Sequence, residues 1–91
     1  MFINKTADGR NNLCGKNVYR IRKSMKLSQR QLAERLQLVG IDVDKNAIQR
    51  IECGKRFVTD IELIALSDVL RIPLEELLSV EMSFEQKPID E

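Results

Sequence analysis

The chain has 91 residues, 43% of them hydrophobic but only 4% aromatic, with a formal charge of +1. That is enough for one domain with a modest, aliphatic core. No run in the chain approaches the ~20 apolar residues that a membrane span needs. With no histidine, two isolated cysteines (Cys14 and Cys53) and no glycine-rich phosphate loop, the sequence offers no zinc set, no imidazole base and no nucleotide cradle, so neither an enzyme nor a metal or cofactor site is expected.

The net charge hides an asymmetry. Residues 1–56 hold 13 Lys/Arg against 5 Asp/Glu, a balance of +8, whereas residues 57–91 hold 2 against 9, a balance of −7. Only the first part is suited to a polyanion, and such asymmetry is a hint of nucleic-acid binding; a solvated basic face would give the same count. No apolar signal segment follows Lys5, so a cytoplasmic location with reduced thiols is expected.

Residues 1–15 carry Asn, Asp and Gly without apolar periodicity and read as an N-terminal arm. From there to residue 79 helix signals dominate. Val18, Ile21 and Met25 recur at helical spacing and predict an amphipathic helix over about Lys16 to Met25, with Arg20, Lys23 and Lys26 on its polar side. Ser28 stands three residues before Gln31, the pattern of a capping box, and Leu27 with Leu32 supplies the apolar staple, so a second helix starts at Gln29. If Gly40 is the left-handed residue past its end, Leu36 and Ile41 occupy the positions that touch in a Schellman motif, and the helix runs to about Val39. Ile41-Asp42-Val43 then alternates like a short extended piece.

Asp44 is an N-cap without a box partner and begins a third helix at Lys45, ending near Cys53. Thr59 repeats the full box with Glu62 and starts a fourth at Asp60. Each cap is worth about 1 kcal/mol, so the caps mark boundaries more than they stabilise the fold. Ile72-Pro73 ends that helix, and a short fifth is expected over Leu74 to Ser79. Leu63, Ile64, Leu66, Val69, Leu70, Ile72, Leu74, Leu77 and Leu78 read first as core, with any left exposed on the last helix available to a dimer. Residues 80–91 form an acidic tail.

On the third helix Ile48 and Ile51 mark the buried side, which turns Lys45, Asn46, Gln49 and Arg50 outward. Arg and Lys donate to guanine, while Asn and Gln pair donor and acceptor with adenine. Composition alone leaves a merely solvated polar face as the alternative.

RIRK at 20–23, LSQRQLAERL at 27–36, AIQRIECGKR at 47–56 and LIALSDVLRIPLEELL at 63–78 occur in that order. Over Val18 to Leu78 the chain resembles the helix-turn-helix domain of the phage Cro and repressor proteins, the XRE-like family. The resemblance implies an all-α, five-helix domain of the lambda-repressor-like DNA-binding fold, and a transcriptional regulator, commonly a repressor, that binds double-stranded DNA as a homodimer. It places Lys45, Asn46, Gln49 and Arg50 at the major groove and a phosphate-contacting glutamine at Gln29, where a helix N-terminus favours an anion. Lys55 and Arg56, just past the reading helix, are expected on the phosphates of the other flank. Arg22 and Glu52 match an arginine and a glutamate that pair inside the fold.

The sequence departs from the family pattern twice. The connection between the second and third helices is several residues longer, which leaves their crossing angle open. Lys26 stands where glycine is common, which predicts a non-glycine residue at positive φ at a cost of about 1 kcal/mol. A protein-interaction regulator on the same fold, such as an adaptor or an antitoxin that binds a protein partner through the acidic C-terminal part, is the alternative function.

Overall fold

A computed structural model of the chain describes residues 5, 6 and 8–79; the acidic tail and the first four residues lie outside the described residues. The described part is helical, with no strand: α1 (Gly15–Ser24), α2 (Gln29–Leu38), α3 (Lys45–Glu52), α4 (Asp60–Leu70) and α5 (Leu74–Leu77). α2 and α3 pack most extensively against each other, and α1, α4 and α5 close the globule around them. The core is aliphatic: Val18, Leu32, Leu36, Ile48, Leu66 and Leu77 are each no more than 2% exposed, whereas Tyr19 and Phe57 lie largely in solvent.

The three capped starts fall where expected. Ser28 and Thr59 each accept from the backbone of the box residue three positions on, and Gln31 and Glu62 reach back to the cap N–H. Asp44 accepts from the Ala47 N–H at 2.9 Å. Helix ends share one device. The N–H of Ile41 donates to Leu36 C=O and that of Gly40 to Gln37 C=O, with Gly40 at φ +92, a Schellman motif. The same paired bonds close α1, through Lys26 and Leu27, and α4, through Arg71 and Ile72. There the left-handed residue is not glycine: φ is 60 at Lys26 and 58 at Arg71.

Three expectations need correction. Ile41–Val43 is not an extended piece: the Val43 N–H donates to Ile41 C=O at 3.0 Å, closing a three-residue turn, and Gln37 Nε2 fixes Val43 C=O at 2.7 Å. The inward and outward alternation survives, with Val43 buried and Asp42 exposed. Ile64 is not core. It is 53% exposed beside Ile61, because α4 is apolar on both faces and buries the one carrying Ala65, Leu66 and Leu70. Finally, α5 stops at Leu77 rather than Ser79, and Asn17 Nδ2 donates to the carbonyls of Leu77 and Ser79 at 2.9 and 2.6 Å.

Among the described residues, those before α1 carry no regular element, yet residues 10–14 lie on the globule. Cys14 is 1% exposed within the core, and burial pushes its thiol up to about 11; Cys53 is exposed. Asn11 N–H donates to Gly54 C=O at 2.7 Å, which anchors the segment beside the end of α3.

Candidate nucleic-acid interface

The sequence of α3, KNAIQRIE, places apolar residues three apart on a helix of barely two turns. Ile48 and Ile51 are 0% and 2% exposed against α2 and α1, and this burial fixes which face looks out. Lys45, Asn46, Gln49 and Arg50 are all exposed. None of their side chains makes a hydrogen bond or ion pair among the described residues, so their donors and acceptors are available to a ligand. Side by side on one helix they combine cationic donors with amides that donate and accept at once, the functional groups that match base-pair edges.

A buried network holds the end of this helix. Arg22 Nε donates to Glu52 Oε2 at 2.6 Å and Nη2 to Oε1 at 3.0 Å, with the two side chains 7% and 5% exposed. Arg22 Nη1 also donates to Leu27 C=O at 2.8 Å, just before α2. Gln29 Nε2 completes the set by donating to Glu52 Oε1 at 3.0 Å. One carboxylate thus ties α1, the start of α2 and the end of α3. One N–H of the Gln29 amide is therefore committed to Glu52; its second N–H, on a half-buried side chain, and the N-terminal backbone of α2 are what that position offers an anion. An open groove there is lined by Lys23, Lys26, Ser28 and Gln29, which adds two exposed cations that sequence reasoning had left on a polar helix side.

On the other flank Lys55 is exposed and has no charged partner among the described residues, but Arg56 is committed. Its Nη1 and Nη2 donate to Glu62 Oε1 and Oε2, both at 3.0 Å, a bidentate pair across the α3–α4 loop. The Arg56 bond holds the Glu62 carboxyl below its usual range, and Glu62 in turn raises the Arg56 guanidinium. Arg56 is thus neutralised at the place where a free cation was expected. Glu62 was recognisable as a cap partner; its second bond was not, because it depends on how the loop folds back.

Arg10, Asn11 and Asn12 contribute contacts that no local signal reveals. Their side chains donate to backbone carbonyls between Ile51 and Arg56, some forty positions along the chain. Among the described residues no cluster of His, Cys, Asp or Glu could hold a metal ion, and no helix is long and apolar enough to cross a membrane.

A helix-turn-helix family model matches residues 18–77, which takes in the second and third helices, their longer connection and the closing helices. No curated protein and no solved structure matches the chain. With the family match spanning well over half of the sequence, and five helices in the family's order, the chain belongs to the XRE-like helix-turn-helix family of DNA-binding regulators.

Proposed function

We propose that this protein is a sequence-specific, cytoplasmic transcriptional repressor that reads the major groove of double-stranded DNA with α3. The observation that carries this reading is the exposed, unpaired quartet of Lys45, Asn46, Gln49 and Arg50 on a helix whose end is anchored by a buried carboxylate. Arg50 and Lys45 are matched to guanine, Asn46 and Gln49 to adenine. Lys55, the groove lysines and the backbone at Gln29 supply phosphate contacts that set register without reading sequence. Arg56 supports this edge through Glu62 and is not counted among them.

A homodimer fits this reading, because two reading helices on one face of the duplex double the contacted sequence. Phe57, Ile61 and Ile64, 61%, 68% and 53% exposed, are the apolar residues suited to that contact. They would equally serve an adaptor or antitoxin, the second reading. Selection from a random duplex pool, followed by affinity measurements at several salt concentrations, separates the two. The DNA reading predicts an enriched motif and an affinity that falls steeply with salt. Enrichment of no motif, with no salt-dependent retention on duplex DNA, would leave only the protein-interaction reading.

A further inference from the structure

Residues 10–12 precede the matched helix-turn-helix region, yet they close on the far end of α3. Arg10 Nη2 donates to Glu52 C=O at 2.6 Å and to Ile51 C=O at 3.4 Å. Asn12, only 9% exposed, donates from Nδ2 to Ile51 C=O at 3.1 Å and Arg56 C=O at 2.7 Å, and its Oδ1 accepts from the Gly15 N–H at 2.8 Å. Asn11 adds its N–H to Gly54 C=O and its Nδ2 to Lys55 C=O at 3.0 Å. The last carbonyls of a helix have no donors within it. The N–H groups of Cys53, Lys55 and Gly54 meet those of Gln49, Arg50 and Ile51. Among the described residues the tripeptide alone supplies a donor to Glu52 C=O, and it adds others to Ile51 and to the loop carbonyls of Gly54, Lys55 and Arg56. Two glycines make the approach possible. A Cβ on Gly15 would fall on the Ile51 carbonyl oxygen, and one on Gly54 would come within 2.8 Å of the Arg10 side chain.

We propose that Arg10, Asn11 and Asn12 form a clip that sets the tilt of the reading helix, and so act as positioning residues for base recognition; this rests on the DNA reading above. Leverage makes the end of so short a helix decisive. At 1.5 Å per residue α3 is about 12 Å long, so a rotation of ~10° about its C-terminal end moves Lys45 and Asn46 by about 2 Å. Productive hydrogen-bonding geometry tolerates roughly 0.5 Å and 10–20°. Burial of Ile48 and Ile51 holds the helix to the core but is non-directional. Direction comes from the hydrogen bonds at its end: those of Arg22 and Gln29 to the Glu52 carboxylate, and those of the clip to the backbone carbonyls. In Arg10 it is Nη2 that engages those carbonyls, while Nε is buried without a partner.

The test uses Arg10→Met, which keeps an apolar stem over Gly54 while removing the donors, and Asn12→Ala. Binding by each full-length variant is measured on a selected and a scrambled duplex at several salt concentrations, at a temperature where circular dichroism shows it folded. The clip predicts that the ratio of the two affinities falls about tenfold, the scale of losing one bidentate base contact, while the salt slope and the scrambled-duplex affinity hold. An unchanged ratio with a lowered melting temperature would make these residues merely structural and overturn the proposal. So would an equal loss on both duplexes with the salt slope reduced by about one, which would make Arg10 a phosphate contact. If Asn12→Ala does not fold, Arg10→Met, on a half-buried side chain, decides. A wild-type chain without preference between the duplexes would overturn the DNA reading itself, and is recognised before any variant is compared.

Discussion

Glu52 concentrates more of the architecture than any other single side chain, because three helices meet at its two oxygens. Arg22 brings two charge-assisted bonds and Gln29 a third. Removing one partner of a buried pair leaves the other charge without compensation, at about 3–5 kcal/mol. For a domain of this size that is a large part of total stability. Glu52→Ala is therefore expected to lower the urea midpoint severely, or to leave the chain unfolded at room temperature; an unchanged midpoint would contradict the assigned role. The contact was legible only through the resemblance, since thirty residues separate the partners and no spacing links them. Residue-scale reasoning about exposed cations was less secure. Arg56 and Gln29 carried the right chemistry for phosphate, but each is drawn to a carboxylate that the fold brings beside it.

Elements were the most legible level, because caps and helix ends are written within a few consecutive residues. Ser28, Asp44 and Thr59 each announce a start, and Gly40 announces an end. The three-residue turn at Ile41–Val43 was not legible, since it depends on Gln37 reaching back to the Val43 carbonyl. The shared Schellman endings make opposite predictions at two positions. Lys26→Gly relieves a non-glycine residue at φ 60 and should stabilise by about 1 kcal/mol, while Gly40→Val forces a β-branched residue to φ +92 and should destabilise by at least as much. Thermal melts of both variants check this, and shifts of the same sign would count against the motif.

The start of α4 also has a pH signature. Arg56 holds the Glu62 carboxyl below its usual value of 4.5, so the unfolded chain takes up this proton more readily than the folded one. The contribution is fully present above that value and is lost as the pH falls through the lower, folded one. Urea midpoints at pH 7 and pH 3 should therefore lie closer together in Glu62→Gln than in the wild type. An equal gap in both would contradict the pairing.

At the scale of the whole molecule, charge, groove and reading face lie in the first two thirds of the chain, and the apolar residues exposed on α4 lie beyond them. The charge asymmetry foretold where the cations lie, but not the exposed apolar residues of α4, since Ile64 read as core. The docking of residues 10–14 was not foretold, because it joins side chains to backbone carbonyls distant in sequence and leaves no periodicity. The central claim is that α3 reads bases and does not merely attract DNA. Its most direct test compares Arg50→Ala with Lys55→Ala on a selected and a scrambled duplex across a range of salt. Arg50→Ala should lose about 1–3 kcal/mol on the selected duplex alone and relax preference at one or two positions. Lys55→Ala should weaken both duplexes alike and lower the salt slope by about one. Equal loss on both duplexes by Arg50→Ala would make α3 an electrostatic contact and contradict the account.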